Sequence, residues 1–189
     1  MSTDLATWSD AELIEKLKEG NASRFFQELY ERYYKKVLDK CYSFVKNRET
    51  ARELAEDVFS KTFEKIGSFK QKSSFSSWLY SITYNHCIDY LREKKKLHYP
   101  EWNKENEIPE IIDESDEALS EITYENLLLI MEEIHPEEKA LLLMKYQHDL
   151  SIREISTSLR ISENAAKMRL KRARTRVVFL YTQKYLKHG

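Results

Sequence analysis

Residues 150–177 read LSIREISTSLRISENAAKMRLKRARTRV, and the apolar spacing in this stretch divides it into two helices joined by a short turn. Ser151 followed by Glu154 is a capping-box pattern, in which each side chain satisfies a backbone N–H that the first helical turn leaves unbonded. Ile152, Ile155 and Leu159 then recur at three- and four-residue intervals and form the inner face of the first helix. Leu159-Arg160-Ile161 makes a tight connection that Ile161 plugs, and Ser162 caps a second, longer helix. Ala166, Leu170, Ala173 and Val177 form the inner face of that helix, and the small Ala166 permits a close crossing. Short helix, brief turn and long helix make a helix-turn-helix, whose second helix enters the DNA major groove N-terminus first.

The other face of the second helix carries the chemistry. Asn164, Lys167, Met168, Lys171, Arg174 and Thr175 point outward, with Arg169, Arg172 and Arg176 on the flank. Six basic residues stand against one acidic residue between 162 and 176, more than solubility requires. Lysine and arginine reach guanine O6 and N7, asparagine reaches adenine, and the helix N-terminus with the remaining cations holds phosphates. The DNA-binding set is therefore Ser162, Asn164, Lys167, Met168, Lys171, Arg172 and Arg174. The competing reading is a solvated amphipathic helix.

Working outward, the 189 residues include only 3 Gly and 3 Pro, too few for the turns of an all-β protein, and good helix formers dominate. The fold class is all-α, and the length suits two small helical domains with a linker. The net charge of −1 hides a strong division. Residues 1–96 carry 18 basic and 15 acidic side chains, 97–134 carry 1 and 12, and 135–189 carry 12 and 5. The basic C-terminal end suits a polyanion partner, whereas DNA would repel the acidic middle.

Ser9 with Glu12 predicts a first helix over about 10–19, stopped by Gly20. Phe25, Phe26, Leu29, Tyr33, Val37, Leu38, Cys41, Phe44 and Val45 predict a long helix from Asn21 to about Lys46. Leu54, Val58, Phe59, Phe63 and Ile66 predict a third over 50–66, ending at Gly67. GSFKQKSSFSS is a loop, and Trp78, Leu79, Ile82, His86, Ile88 and Leu91 predict a fourth helix. Residues 97–116, with two prolines, seven acids and one lysine, read as an extended linker. Domains of 1–96 and 117–189 follow. In the second, Leu119, Ile122, Leu127, Ile130 and Met131 line a helix over 117–133, and Pro136 opens another through Tyr146.

Cys41 and Cys87 lack CxxC partners and read as small buried hydrophobes. The five histidines lack metal-ligand spacing, and no HExxH, GxxxxGK[ST] or GxSxG pattern appears, so neither a metal, a cofactor nor a catalytic residue is expected and the chain is read as a non-enzyme. No signal peptide or run of apolar residues long enough for a membrane span is present, so the expected location is the cytoplasm, without membrane insertion.

Pro136, Leu150-Ser151-Ile152-Arg153-Glu154-Ile155-Ser156, Leu159, Ser162 and Arg172-Ala173-Arg174 together resemble the fourth conserved region of the sigma-70 superfamily of RNA polymerase specificity subunits. Arg160 stands where that family commonly has a turn glycine. Residues 24–96 resemble the second conserved region, through Phe26, Leu29-Tyr30, Tyr33, Val37, Ala51, Leu54, Val58-Phe59, Lys61 and Phe63, and above all through FSSWLYSITYNHCIDYLR at 75–92. The pairing matches the small two-domain extracytoplasmic-function (ECF) type.

The resemblance implies a transcription initiation factor that binds core RNA polymerase, on the β′ clamp helices and the β flap, and recognises two-part promoter DNA. The β′ contact would fall on Glu53, Glu56, Asp57, Phe59 and Lys61. The C-terminal helix-turn-helix would read the upstream element as duplex. The downstream element, with its non-template strand unpaired, would meet Phe69, Lys70, Lys72, Phe75, Asn85, Asp89 and Arg92. There Phe69 and Phe75 offer stacking surfaces, the two lysines hold phosphates, and Asn85 reads an extruded base. Phe75 and Trp78 equally suit anchoring the loop into the core. The acidic linker is open between nucleic-acid mimicry in the polymerase cleft and a plain tether. An anti-sigma inhibitor is a partner common in the family. Two other classes compete: a free-standing helix-turn-helix regulator without polymerase binding, and an all-helical protein-binding scaffold.

Overall fold

Ser9 begins the first full helix as its sequence requires: its backbone N–H and its hydroxyl both donate to Glu12 Oε2 at 2.7 Å, closing the capping box. The computed structural model describes residues 5–20, 22–95 and 122–186. Helix α1 spans Asp10–Lys18, after a 3-10 turn at Leu5–Thr7, and Gly20 ends it at φ 101°, a conformation that L side chains resist. Helix α2 spans Ala22–Val45, its expected start at Asn21 lying outside the described residues. Lys46 turns the chain at φ 53°, and Asn47 caps α3, Arg48–Lys65, by accepting from the Thr50 N–H at 2.9 Å. A 3-10 turn at Ile66–Ser68 leads through a loop to α4, Phe75–Lys95.

The C-terminal helices are α5, Tyr124–Met131; α6, Pro136–Leu142, extended by a π turn at Leu143–Gln147; α7, Ile152–Leu159; and α8, Glu163–Tyr181, extended by a π turn at Thr182–Leu186. Proline at the first position of α6 loses no helical hydrogen bond, since that N–H has no partner within a helix. Among the described residues there is no strand. The chain clusters into two compact units, 1–87 and 88–189, the division falling inside α4. The predicted linker 97–116 lies outside the described residues, as does Leu119 of the helix expected over 117–133.

In the first unit α1 and α3 pack on α2. Leu13, Ile14, Leu29, Val37, Cys41, Phe44, Val58, Leu79 and Tyr84 are sealed from solvent. Asp10 ties α1 to α2, bonding Arg32 at 3.1 Å and accepting from the Tyr33 hydroxyl at 2.5 Å. Burial and the neighbouring Asp10 push the Tyr33 phenol far above its ordinary pKa. Phe63, expected on the inner face of α3, is instead 45% exposed, its ring edge against Phe26.

In the second unit α5, α6 and α7 all pack on α8. Ala166, Leu170, Ala173 and Val177 are buried there, as their spacing predicts. Burying side chains of this size stabilises by roughly 25 cal/mol per Å² of apolar surface removed from water. Alanine at two of the four positions also keeps α8 near its neighbours.

Candidate nucleic-acid interface

The turn between α7 and α8 sets the direction of α8. Ser151 and Glu154 close a capping box, with the Ser151 N–H donating to Glu154 Oε2 at 2.8 Å. Those bonds hold the Glu154 carboxyl below its ordinary pKa, the serine side-chain bond contributing most. Helix α7 ends at Arg160, which is left-handed at φ 55° and ψ 45°. The expectation of a glycine-type position is met by an arginine, at a cost of about 1 kcal/mol or more. The Ile161 N–H returns to the Ser156 carbonyl at 3.0 Å, and the Ser162 hydroxyl accepts from the Ala165 N–H at 3.1 Å.

Around α8 the cations fall into two groups. Ser162, Asn164, Lys167, Met168 and Lys171 are exposed, and Arg172 is half-buried beside them. On the other flank, Arg169 Nη1 pairs with Glu137 Oε2 at 3.2 Å and Arg176 Nε lies 3.8 Å from Glu138 Oε1. Arg174 is half-buried and donates to the Tyr146 hydroxyl at 3.4 Å. Thus Arg169 and Arg176 brace α8 against α6. Glu138 also accepts from the His135 N–H at 3.1 Å; burial pushes its carboxyl pKa up while Arg176 and the His135 N–H pull it back. The buried Lys139 ammonium pairs with Glu132 at 2.6 Å.

The loop before α4 departs from its expected surface role. Phe69 is 5% and Phe75 3% exposed. Phe69 packs on Trp78 with ring centroids 4.8 Å apart, Phe75 lies 6.1 Å from Phe69, and Tyr33 meets Phe75 edge-on at 5.4 Å. The rings expected to stack on bases are turned inward, because together they supply enough apolar area to seal the loop end. Lys18 Nζ donates to the Phe69 carbonyl at 2.8 Å and fixes the same end. Between these anchors the chain turns at Gln71, φ 53°, and leaves Lys70 and Lys72 exposed. Asn85 is half-buried and donates to the Ser81 carbonyl at 2.8 Å. Asp89 is exposed, and Arg92 lies 3.6 Å from it while pairing with Glu137.

On α3, Glu53, Glu56 and Asp57 are exposed in one acidic group, whereas Phe59 is covered by Phe26, Tyr30 and Tyr34 and supports that surface from below. Lys61 Nζ lies 2.6 Å from His86 Nδ1, and His86 Nε2 lies 3.2 Å from Asp57 Oδ2. A neutral imidazole fits both contacts, accepting from the ammonium and donating to the carboxylate. Sequence reasoning gives no role to His86, which the structure sets between Asp57 and Lys61. Its signal lies in the register of α4 on α3, which no local pattern carries.

Against known proteins, residues 29–97 match the family Sigma-70 region 2 and residues 124–177 match Sigma-70, region 4. The chain is 28% identical over 150 residues to the RNA polymerase sigma factor YlaC of Bacillus subtilis, covering 78% of this chain and 87% of that protein. It is 27% identical over 175 residues to the ECF RNA polymerase sigma factor SigW of the same organism, covering 85% and 90%. Among solved structures, the sigma factor RpoE of Bartonella quintana, bound to the anti-sigma factor NepR, shares the fold with a TM-score of 0.57 at 14% identity, over 86% of this chain and 99% of that one. CnrH, in complex with the cytosolic domain of CnrY, does so at 0.56 and 17%, over 93% and 98%. The two regions occur in the order, and over the helices, that the sequence predicts, and the chain belongs to the sigma-70 family of RNA polymerase sigma factors, in its ECF group.

Proposed function

We propose that this sigma factor reads the upstream promoter element as duplex through Ser162, Asn164, Lys167, Met168, Lys171 and Arg172, with Arg174 at the edge of that face. The observation that carries the reading is the sorting of cations around α8. Glu137 and Glu138 engage the arginines of one flank, while Lys167 and Lys171 stand exposed on the other. A helix stabilised only by solvation has no reason for that segregation. The N-terminal domain is assigned residues 1–96 and the C-terminal one 117–189, with 97–116 as the tether. Tethering lets two small sites act together on one promoter by effective concentration.

The downstream element is assigned to Lys70 and Lys72 for phosphates and to Asn85 and Asp89 on α4, with Phe69 and Phe75 anchoring the loop that presents the lysines. Arg92, which also pairs with Glu137, is assigned to the same element beside Asp89. Glu53, Glu56, Asp57 and Lys61 are assigned to the β′ clamp helices of core polymerase, supported by Phe59 below and His86 beside them. The C-terminal domain is assigned to the β flap. Catalysis belongs to the polymerase core, the site of action is the cytoplasm, and an anti-sigma protein is the proposed inhibitor. Among the described residues no helix is long and apolar enough to cross a membrane.

Reconstitution with core RNA polymerase on a genomic DNA library, reading initiated transcripts, tests the reading. The expected result is a two-part motif shared by the start sites. Core binding without any such motif, or DNA binding without core binding, refutes it; the second outcome favours a free-standing regulator.

A further inference from the structure

Cys41 on α2 and Cys87 on α4 are 46 positions apart, yet their sulfurs lie 3.8 Å from each other, and both residues are fully enclosed. Either cysteine alone would be an ordinary small core residue. Face to face, they bring two oxidisable sulfurs together on two helices that the chain must keep joined. We propose that Cys41 and Cys87 are a two-electron redox pair, a modification site at which a peroxide converts two thiols into an intramolecular disulfide fastening α2 to α4.

One sulfur, as thiolate, attacks the peroxide oxygen, becomes a sulfenic acid and releases water. The second sulfur attacks that sulfenic sulfur, forming the S–S bond and expelling hydroxide, which takes up the thiol proton. Two thiols and one hydrogen peroxide thus give one disulfide and two waters; a dithiol reductant reverses the change. A disulfide needs sulfurs about 2.0 Å apart, so each must move by roughly 0.9 Å, within reach of side-chain rotation.

The surroundings set the rate. The adjoining Cys41 thiol, and then burial, push the Cys87 pKa well up, so the reactive thiolate is scarce. The enclosed sulfurs meet a peroxide only when α4 opens from α2. Oxidation is therefore slow, quickens with pH and with mild denaturant, and leaves the dithiol as the resting form in a reducing compartment.

The test treats the full-length protein with hydrogen peroxide under native conditions, traps free thiols by alkylation and maps the tryptic peptides. The expected result is a linkage between the peptide beginning at Cys41 and the one containing Cys87, with loss of two hydrogens from the intact mass and recovery in dithiothreitol. Cys41→Ala abolishes the link. Because that variant also changes the core, the unmodified protein supplies a second measurement: its oxidised form should melt higher than its reduced form. Oxygen adducts without linkage, linkage only between separate chains, or an oxidised form that melts lower would each overturn the proposal and make the pair a packing contact.

Discussion

Neutralising Lys167, Lys171 and Arg172 together by glutamine should change how DNA binding responds to salt far more than it changes stability. All three lie on the outward side of α8, Lys167 and Lys171 exposed and Arg172 half-buried. Each phosphate neutralised by a cation contributes a slope of about −0.9 to log K against log salt, so losing three contacts flattens the slope by about 2.7. Between roughly 50 and 200 mM salt, the wild type then loses about 40-fold more affinity than the variant. The assay is fluorescence anisotropy of holoenzyme on duplex carrying the upstream motif recovered by reconstitution. Arg169→Gln is the control, since it removes one of the two arginines paired with Glu137 and touches the inner flank only. Arg169 is 34% exposed, so the pair is discounted from a buried one, to about 1–2 kcal/mol. That lowers melting by roughly 4–8 °C per kcal/mol for a domain of this size. An unchanged slope in the triple variant, or an equal flattening in Arg169→Gln, would refute the division of cations into reading and bracing groups.

Asn85→Ala should weaken use of the downstream element by about 1–3 kcal/mol while leaving core binding unchanged; equal loss of both in parallel transcription and core-binding assays would make Asn85 structural. Arg160→Gly should raise the melting temperature, because relief of about 1–2 kcal/mol of left-handed strain exceeds the roughly 0.4–1 kcal/mol lost to added freedom of the unfolded chain. Arg160→Val, measured beside it, should lower melting. His86→Leu severs the link between Asp57 and Lys61, and core polymerase affinity in a competition assay should fall several-fold; no fall would detach His86 from the docking surface. Glu154 has a folded pKa below its ordinary 4.5. Its contribution to stability is therefore present above that value and fades as pH falls through the folded one. The melting difference between wild type and Ser151→Ala should accordingly shrink as pH falls below 4.5 and through the lowered folded value.

The inner face of α8 was legible residue by residue because Ala166, Leu170, Ala173 and Val177 keep a strict helical spacing, and the Ser9–Glu12 and Ser151–Glu154 capping boxes were legible because their partners stand three residues apart. The roles of the cations were not. Lys167 and Arg169 sit two positions apart and look alike in sequence, but Glu137, the partner that engages Arg169, lies 32 positions upstream. Phe59 and Phe63 show the same limit on α3. A spacing of four puts both on one helical stripe, yet only Phe59 meets Tyr30 and Tyr34, so one ring is covered and the other stays exposed. For Phe69 and Phe75, loop composition suggested exposure, and the decisive partners, Trp78 and Tyr33, come from two different helices.

The carboxylates explain how a chain of net charge −1 can present a basic face. Counterion release depends on the cations that meet phosphates, not on the charge of the whole molecule. Glu137 and Glu138 follow Pro136 in the first turn of α6, where negative charge suits the helix N-terminus, and from there they reach Arg169 and Arg176. Their effect is to neutralise one flank of α8 and leave positive potential on the other. Were the acids spread evenly along the chain, the same composition would give a helix with no preferred side. On this account Glu137→Gln should broaden the positive surface, raising nonspecific DNA affinity while lowering the stability of the α6 and α8 packing. A variant that gained neither nonspecific affinity nor instability would show that the acids do not sort the charge.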